Sequence, residues 1–575
     1  MCDVPFTGQS QFHRSEQIIF WRAHGRCFTA EPATPQALTF FGDCGIAGVK
    51  YFLNQIQFVT RLPAIIVVLV LFSLPAFSAT WYVATNGVDA NSGTSNAPFA
   101  TITRAQTAAA SGDTVYLRGG TYFLQYSNVT ATNSPWVIVN NITKNGISYI
   151  AYPGELPVFD FSNVRPPIMN SNRVTAFLIK ANNCVFKGFD VVGVQVDVAL
   201  QHTQSENFRV AGGNSNRFEQ LRMHDGMGNG WYLTDGANNL VLNCDAYNNR
   251  GLDSGSLGNT DGFGCHPAHT SGTGNVLAGC RSWFNSDDGY DCINAFAVVT
   301  FSNCWSFYNG YFTNFASSTG DGNGIKAGGY GVSGSPFPTP IPHHVVEFCL
   351  TVSNRANGFY ANHHLDGQIW LNNTAYRNSV NYDMLCSTNN SSSAGDTPGF
   401  DHVMKNNLGF SAKLEEVSEL GPSNDVTFNY FTLPVTVSTG DFMTLDTSLL
   451  TAPRQEDGSL PYIAFMQLVH NSALVDAGTN VNFPFVGAAP DLGAFEYGIK
   501  PPTLAVSQLG IQFIVSGNGG PAGGTYYLVA ASDRSLPLVQ WSRIATNKFN
   551  LSGHYAITSS IPTGVSQQFY HVSLQ

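Results

Sequence analysis

The stretch GNVLAGCRSWFN at 274–285 runs from apolar residues into a cysteine, continues through further apolar or aromatic positions and closes on asparagine. The same order recurs in NNLVLNCDAYNN (238–249), VVTFSNCWSFYN (298–309) and HHVVEFCLTVSN (343–354). Weaker copies are NNCVFKGFDVVG (182–193), SNRFEQLRMHDG (215–226), GQIWLNNTAYRN (367–378) and DHVMKNNLGF (401–410). The period is 24 residues from Cys280 to Cys304 and lengthens to 45 from Cys304 to Cys349, where a Gly-, Ser- and Pro-rich insert intervenes. Short strands that cannot bury a face alone, repeated in this way, predict a solenoid of stacked coils. The strands are separated by Asn and Gly turns without helical patterns, which predicts a parallel β-helix with coils about 4.8 Å apart. Hairpin signals are too few for a large β-sandwich.

Outward from this core, the solenoid begins after Thr80, where 81–122 offers a strand, a polar loop, a short helix around 102–110 and a strand ending in RGGTY. Such an end coil covers an otherwise open apolar core. After Phe410 the repeat fades into an irregular segment closing with APDLGAFEYG (489–498). IKPP at 499–502 reads as a linker, and 503–575 as a small β-rich accessory module. Upstream, RLPAIIVVLVLFSLPAFSA (61–79) has the basic start, short apolar run and small-residue end of an export signal, assigned to 49–79 with cleavage near Ser78 or Ala79. No stable membrane span is expected after processing. Residues 1–48 carry no periodicity or motif, which points to a start assigned too far upstream.

The composition fits an exported β-rich protein: 11% charged residues, 13% aromatics and 57 glycines. A formal charge of −11 excludes the basic surfaces that nucleic acid rewards. A polyanionic substrate would therefore need a local cation. Eleven cysteines in an exported chain suggest disulfides, but Cys244, Cys280, Cys304 and Cys349 share one place in the repeat. They are expected to stack as small apolar residues instead.

Between Lys187 and Lys405 the chain has a single lysine, Lys326, in GDGNGIKAGG. It follows the acidic knot SDDGYD at 286–291 by about one coil, and Asp261 in TDGFGCH precedes that knot by another. Carboxylates of Asp261, Asp287, Asp288 and Asp291 held on adjacent coils would raise one another's pKa unless a cation neutralised them. Oxygen ligands without matched Cys or His favour a hard ion, Ca²⁺ over Mg²⁺. The plainer alternatives are Asp-Gly turns and an ordinary ion pair at Lys326. Gly322, Gly324, Gly328 and Gly329 would let backbone and ligand approach closely.

In this order DGFGC, GNVLAGCRSWFNSDDGYD, NCWSFYNGY and GDGNGIKAGG resemble family 9 of the polysaccharide lyases, the β-helical pectate lyases. NNTAYRN, PRQEDGSLP and APDLGAFE extend the likeness over roughly 80–498. The resemblance implies an all-β fold, a right-handed parallel β-helix, with Asp261, Asp287, Asp288 and Asp291 holding Ca²⁺ and Lys326 as catalytic base. The expected partner is an acidic polysaccharide, cut outside the cell or in the periplasm by a monomer. The chain departs from the family at His266, where many relatives carry Lys, a position that bears on substrate choice.

The residue types suit that chemistry: a neutral Lys can take the proton on carbon 5 of a 4-linked uronate while a cation acidifies it, so an alkaline optimum is expected. Two rivals remain. A β-helical polygalacturonase would use aspartates such as Asp287 and Asp288 as acid and base, although no GHG or RIK string is present. A non-catalytic adhesin would use Trp283, Trp305 and Tyr311 as sugar platforms, residues expected to lie in the core instead. The pairs His343/His344 and His363/His364 are expected at coil corners or on the cleft wall, and Arg281 and Arg355 could each hold a substrate carboxylate or cover a coil surface.

Overall fold

The computed structural model describes residues 18–21, the span 78–498 apart from 166–172, 197–203, 252–258, 319, 331–335, 390–394 and 456, and most of 503–574. Each repeat folds as one coil of three short strands, as in Asn275–Ala278, Arg281–Trp283 and Tyr290–Asp291. Equivalent strands of successive coils pair in parallel, and among the described residues they form three long sheets. The first sheet has 12 strands, from Thr80–Val83 to Asp425–Thr427, and the second has 10, from Gly120–Gln125 to Leu408–Phe410. The third has 11, from Ala131–Asn133 to Glu415–Ser418, with one antiparallel pair at its start. The expected parallel β-helix is thus the observed architecture.

The repeat works through its corners. Between the first and second strands of a coil the backbone turns sharply through a left-handed residue: Asn243 (φ 55), Asn303 (51), Phe348 (52), Asn372 (51) and Asn406 (59). Gly188 and Gly279 hold the same place at φ 80 and 62, without a Cβ penalty. The next position is the cysteine of the repeat. Cys244, Cys280, Cys304 and Cys349 are buried free thiols stacked coil on coil. Their Sγ–H groups donate to corner carbonyls, as from Cys304 to Leu277 at 3.3 Å. In later coils Asn373, Asn407 and Asn429 take over, each accepting a backbone N–H from the coil before at 2.9–3.1 Å. The closing asparagines build a second ladder, Asn249, Asn285, Asn309, Asn354 and Asn378, with amide oxygens accepting the preceding coil's N–H at 3.0–3.3 Å. The amide oxygens of Asn285, Asn309, Asn354 and Asn378 are thus paired, as low-dielectric surroundings require, while that of Asn249 makes no hydrogen bond among the described residues.

A third ladder opens the repeat. Cys184 stands at its start, in register with Asn216, Asn239 and Asn275 and not with the other stacked cysteines. His344 and His402 substitute for asparagine there, their Nδ1 atoms accepting the N–H groups of Val299 and Gln368 at 3.1 and 2.9 Å. His344 is therefore a core residue, and so is His364, whose Nδ1 accepts the Gly329 N–H. Burial pushes the imidazole of His344 well below its usual value, and those of His364 and His402 down to about 4. A folded pKa below the unfolded one means that the unfolded chain takes up protons first. The stability contributed by these three histidines is accordingly full above about pH 6.5 and is lost toward pH 4. The urea midpoint followed over that window checks this, and His402→Asn, which restores the ladder's usual residue, should flatten the fall.

At the N-terminal end the helix Ile102–Ala108, capped by the Thr101 hydroxyl accepting the Arg104 N–H at 3.1 Å, buries Ile102 and Ala105 over the first coil. At the other end one further coil forms, and the irregular segment then folds back along the solenoid. There Arg454 reaches the buried carboxylate of Asp245 at 2.7 Å, and Arg281 holds the same carboxylate at 2.9 Å while donating to the carbonyls of Leu450 and Ala452. The C-terminal module consists of two antiparallel sheets around a small core that includes Phe513, Tyr526 and Tyr570. Ile18–Trp21, from the segment read as a featureless leader, pairs with its last strand Gln568–Leu574. The rest of that leader, the export signal up to residue 77 and the IKPP linker lie outside the described residues. No helix among the described residues is long and apolar enough to cross a membrane.

Candidate active site

The third sheet displays a row of side chains on its outer face. Phe208, Trp231, Phe263, Tyr290, Ile325, Phe359 and Tyr382 lie in register, coil after coil, and fill the core. Because side chains alternate along a strand, the next position in each coil points outward. That row reads Arg209, Tyr232, Gly264, Asp291, Lys326, Tyr360 and Asp383. Asp291 and Lys326 are direct partners on adjacent strands.

A polar ladder enters the same strands three residues earlier. The Asp261 N–H donates to Asn229 Oδ1 at 2.9 Å, the Asp288 N–H to Asp261 Oδ1 at 3.1 Å, and the Asn323 N–H to Asp288 Oδ1 at 2.6 Å. Asp261 and Asp288 are therefore equivalent positions one coil apart. One ligand oxygen from each of Asp261, Asp288 and Asp291 falls within 4.8 Å of the others. Asp287 groups differently, with Asp288 and Asp321, and its Oδ1 accepts the Asp321 N–H at 2.6 Å. Sequence reasoning missed Asp321, whose only signal was its place in the glycine-rich string just before Lys326.

Lys326 Nζ lies 3.2 Å from Asp288, 3.3 Å from Asp291 and 3.7 Å from Asp321, with its side chain 11% exposed. Burial works to lower its pKa, but the carboxylates of Asp291, Asp288, Asp287 and Asp321 outweigh burial and hold it well above the usual lysine value. Burial and mutual repulsion push Asp261 and Asp287 well up, and Asp288 up to about 6. One ammonium among five carboxylates leaves the cluster short of positive charge. Asp288 Oδ2, fully buried, makes no hydrogen bond. An all-oxygen, charge-deficient donor set, with Asp288 Oδ2 buried 3.2 Å from the Lys326 amine, fits a hard divalent cation.

The glycines around Lys326 serve packing more than the groove. A Cβ on Gly324 would stand 2.4 Å from the Gly358 carbonyl of the next coil, and one on Gly328 would stand 2.4 Å from His364 Nδ1. Gly264, in the groove row, makes room for its neighbours: a Cβ there would meet the Tyr232 ring at 2.5 Å and His266 Nε2 at 2.7 Å. His266 and Tyr232 close over it with ring centroids 4.7 Å apart, and His266 Nδ1 donates to the Ile293 carbonyl at 2.5 Å. Burial lowers the His266 pKa, so the imidazole is neutral where a lysine would be charged.

Other candidates disperse. His343 and His363 sit near the surface against Asp366 and Asp396. Trp305 is core, Trp283 stacks between Tyr247 and Phe307 on the second sheet, and Tyr311 lies under Lys413. Arg281 belongs to the Asp245 clamp, and the Arg355 guanidinium donates to the carbonyls of Gly320 and Asp321 beside the acidic cluster.

The model of the Pel9A-like right-handed β-helix region matches residues 81–407. Pectate lyase L of Dickeya chrysanthemi is 34% identical over 426 residues, 72% of this chain and 90% of that protein. Among solved structures, a rhamnogalacturonan lyase superposes with a TM-score of 0.65 at 41% identity, covering 68% of this chain and 97% of that one. Pectate lyase Pel9A gives 0.59 at 32% identity, covering 73% and 96%. Neither the hydrolase nor the adhesin alternative is compatible with these relationships. The chain therefore belongs to the Pel9A-like right-handed β-helix family, family 9 of the polysaccharide lyases.

Proposed function

We propose that the protein cleaves 4-linked uronate polymers, pectate foremost, by β-elimination, with Lys326 as base and Asp261, Asp287, Asp288 and Asp291 as ligands of Ca²⁺. The observation that carries this reading is the outward-facing amine of Lys326, next to Asp291 in the groove row and within 3.3 Å of two buried carboxylates. Lys326 Nζ takes the proton from carbon 5. The electron pair of that C–H bond becomes the double bond between carbons 4 and 5. The bond from carbon 4 to the glycosidic oxygen breaks, and that oxygen leaves with its electrons. Ca²⁺, when bound, supplies charge that stabilises the carbanion-like transition state and lowers the pKa of the neighbouring amine. The neutral amine is the working form, so the rate rises with pH through the alkaline range.

EDTA is expected to abolish the release of ultraviolet-absorbing unsaturated product from polygalacturonate, and added Ca²⁺ to restore it. Hydrolysis would create no such chromophore, so reducing ends appearing without absorbance would overturn the reading. The 41% identity to a rhamnogalacturonan lyase supports a second substrate, rhamnogalacturonan. Assaying both polymers side by side decides between them. The export signal read at 49–79 and a polymeric substrate together support a place outside the cell or in the periplasm.

A further inference from the structure

The groove row has a second charged feature well away from Lys326. Arg209 lies in that row three coils before Asp291, through Tyr232 and Gly264, which at the coil spacing is about 14 Å. Its guanidinium carbon lies 4.8 Å from the centroid of the Trp136 ring, and that of Arg173 lies 5.1 Å from the same ring. Nη1 of Arg209 donates to the fully buried Glu206 at 2.6 Å. Among the described residues the Arg209 side chain makes no other hydrogen bond, and it remains 21% exposed. A guanidinium fixed by stacking on one side and by a single carboxylate on the other keeps its remaining N–H donors in a set orientation. That geometry suits bidentate capture of a carboxylate.

Among the described residues the opposite arm of the row carries no lysine or arginine. Past Lys326 come Tyr360 and Asp383, and Asp383 accepts the Asn357 side-chain N–H at 3.1 Å. A uronate carboxylate laid over Asp383 would meet like charge. The two arms therefore differ in sign: an aromatic, cationic arm on the N-terminal coils and an acidic one on the C-terminal coils.

We propose that Arg209, seated on Trp136, is a distal carboxylate-binding subsite that grips a uronate of the polymer several sugars from the bond being cut, on the N-terminal arm of the groove. This rests on the uronate-lyase reading above. It makes the enzyme favour long chains, since only these reach from Lys326 to Arg209.

The test compares long and short oligogalacturonides with the full chain and with Arg209→Gln and Arg209→Lys. The parent should show a lower KM for the long substrate, and Arg209→Gln should raise that KM about tenfold, erasing the preference for length. Arg209→Lys, which keeps the charge without the fork, should recover part of it. Equal weakening on both lengths would mark Arg209 as structural and overturn the proposal, as would an unchanged preference for length. Binding of the same oligomers measured by calorimetry in a Lys326→Ala background separates the two readings. Loss of long-chain affinity on adding Arg209→Gln supports the subsite even without turnover, and undiminished affinity sinks it. Absence of unsaturated product from every uronate polymer with the parent enzyme counts instead against the elimination chemistry.

Discussion

Lys326→Ala is expected to lose between about 10² and 10⁴ of the elimination rate, the range a positioned general base contributes. The more telling companion is Lys326→Arg. An ion-pair role would be preserved by arginine, which can still face Asp288 and Asp291, now 3.2 and 3.3 Å from the amine. A base role would not, because a guanidinium stays protonated at any working pH. The Arg variant should therefore fold with near-parental stability and show almost no activity. The Ala variant should be inactive and also less stable, because it leaves the Asp288 and Asp291 carboxylates buried without their ammonium. Continuous ultraviolet assay and thermal unfolding of both proteins check this, and an Arg variant turning over at the parental rate would remove Lys326 from the chemistry.

The largest effect on stability is expected far from the groove. Asp245 is buried and accepts from Arg281 through both carboxylate oxygens at 2.9 Å and from Arg454 at 2.7 Å. Burial raises its pKa, yet Arg454 and Arg281 more than offset this and hold it below the ordinary carboxylate value, so it is ionised. Asp245→Ala strands two guanidinium groups in the interior and should cost about 3–5 kcal/mol. Arg454 also donates to the carbonyls of Cys244 and Gly279, so the loss should free the returning segment from the solenoid. Urea unfolding would register the change as a lower midpoint. Limited proteolysis should cut first within 446–460. Asp245→Asn, keeping shape and part of the hydrogen bonding, should lose less.

The sequence displayed the solenoid because its corners demand particular chemistry. Cysteine and asparagine at fixed places are what a buried turn needs, and they recur visibly even where inserts vary the spacing. Asp261, Asp288, Asp291 and Lys326 were legible for the same reason, since register converts one period in sequence into adjacency in space. Asp321 was not, because it lies on a loop outside the strand register and enters the cluster through a backbone bond to Asp287. The glycines near Lys326 misled in detail: their open space is taken by Gly358 and His364 of neighbouring coils. His344 and His402 were unreadable as ladder members, because a ring nitrogen replacing an amide oxygen leaves no trace in a hydrophobicity pattern. The contact between Arg454 and Asp245 spans 209 residues with no repeat to announce it.

The asparagine ladders also determine how the molecule comes apart. Each ladder amide is clamped between two coils, so its proton can exchange with solvent only when those coils part. A stack bonded solely to nearest neighbours frays from its tips inward, like a zipper. The strands bearing Asp291 and Lys326, and the strand Phe263–Cys265 that follows Asp261, lie well inside the third sheet, with three parallel strands still to peel away on the C-terminal side and more on the other. The proposed cleaving centre thus sits where amide exchange should be slowest. The protein can lose order at either tip, to a protease or to heat, well before the centre feels it.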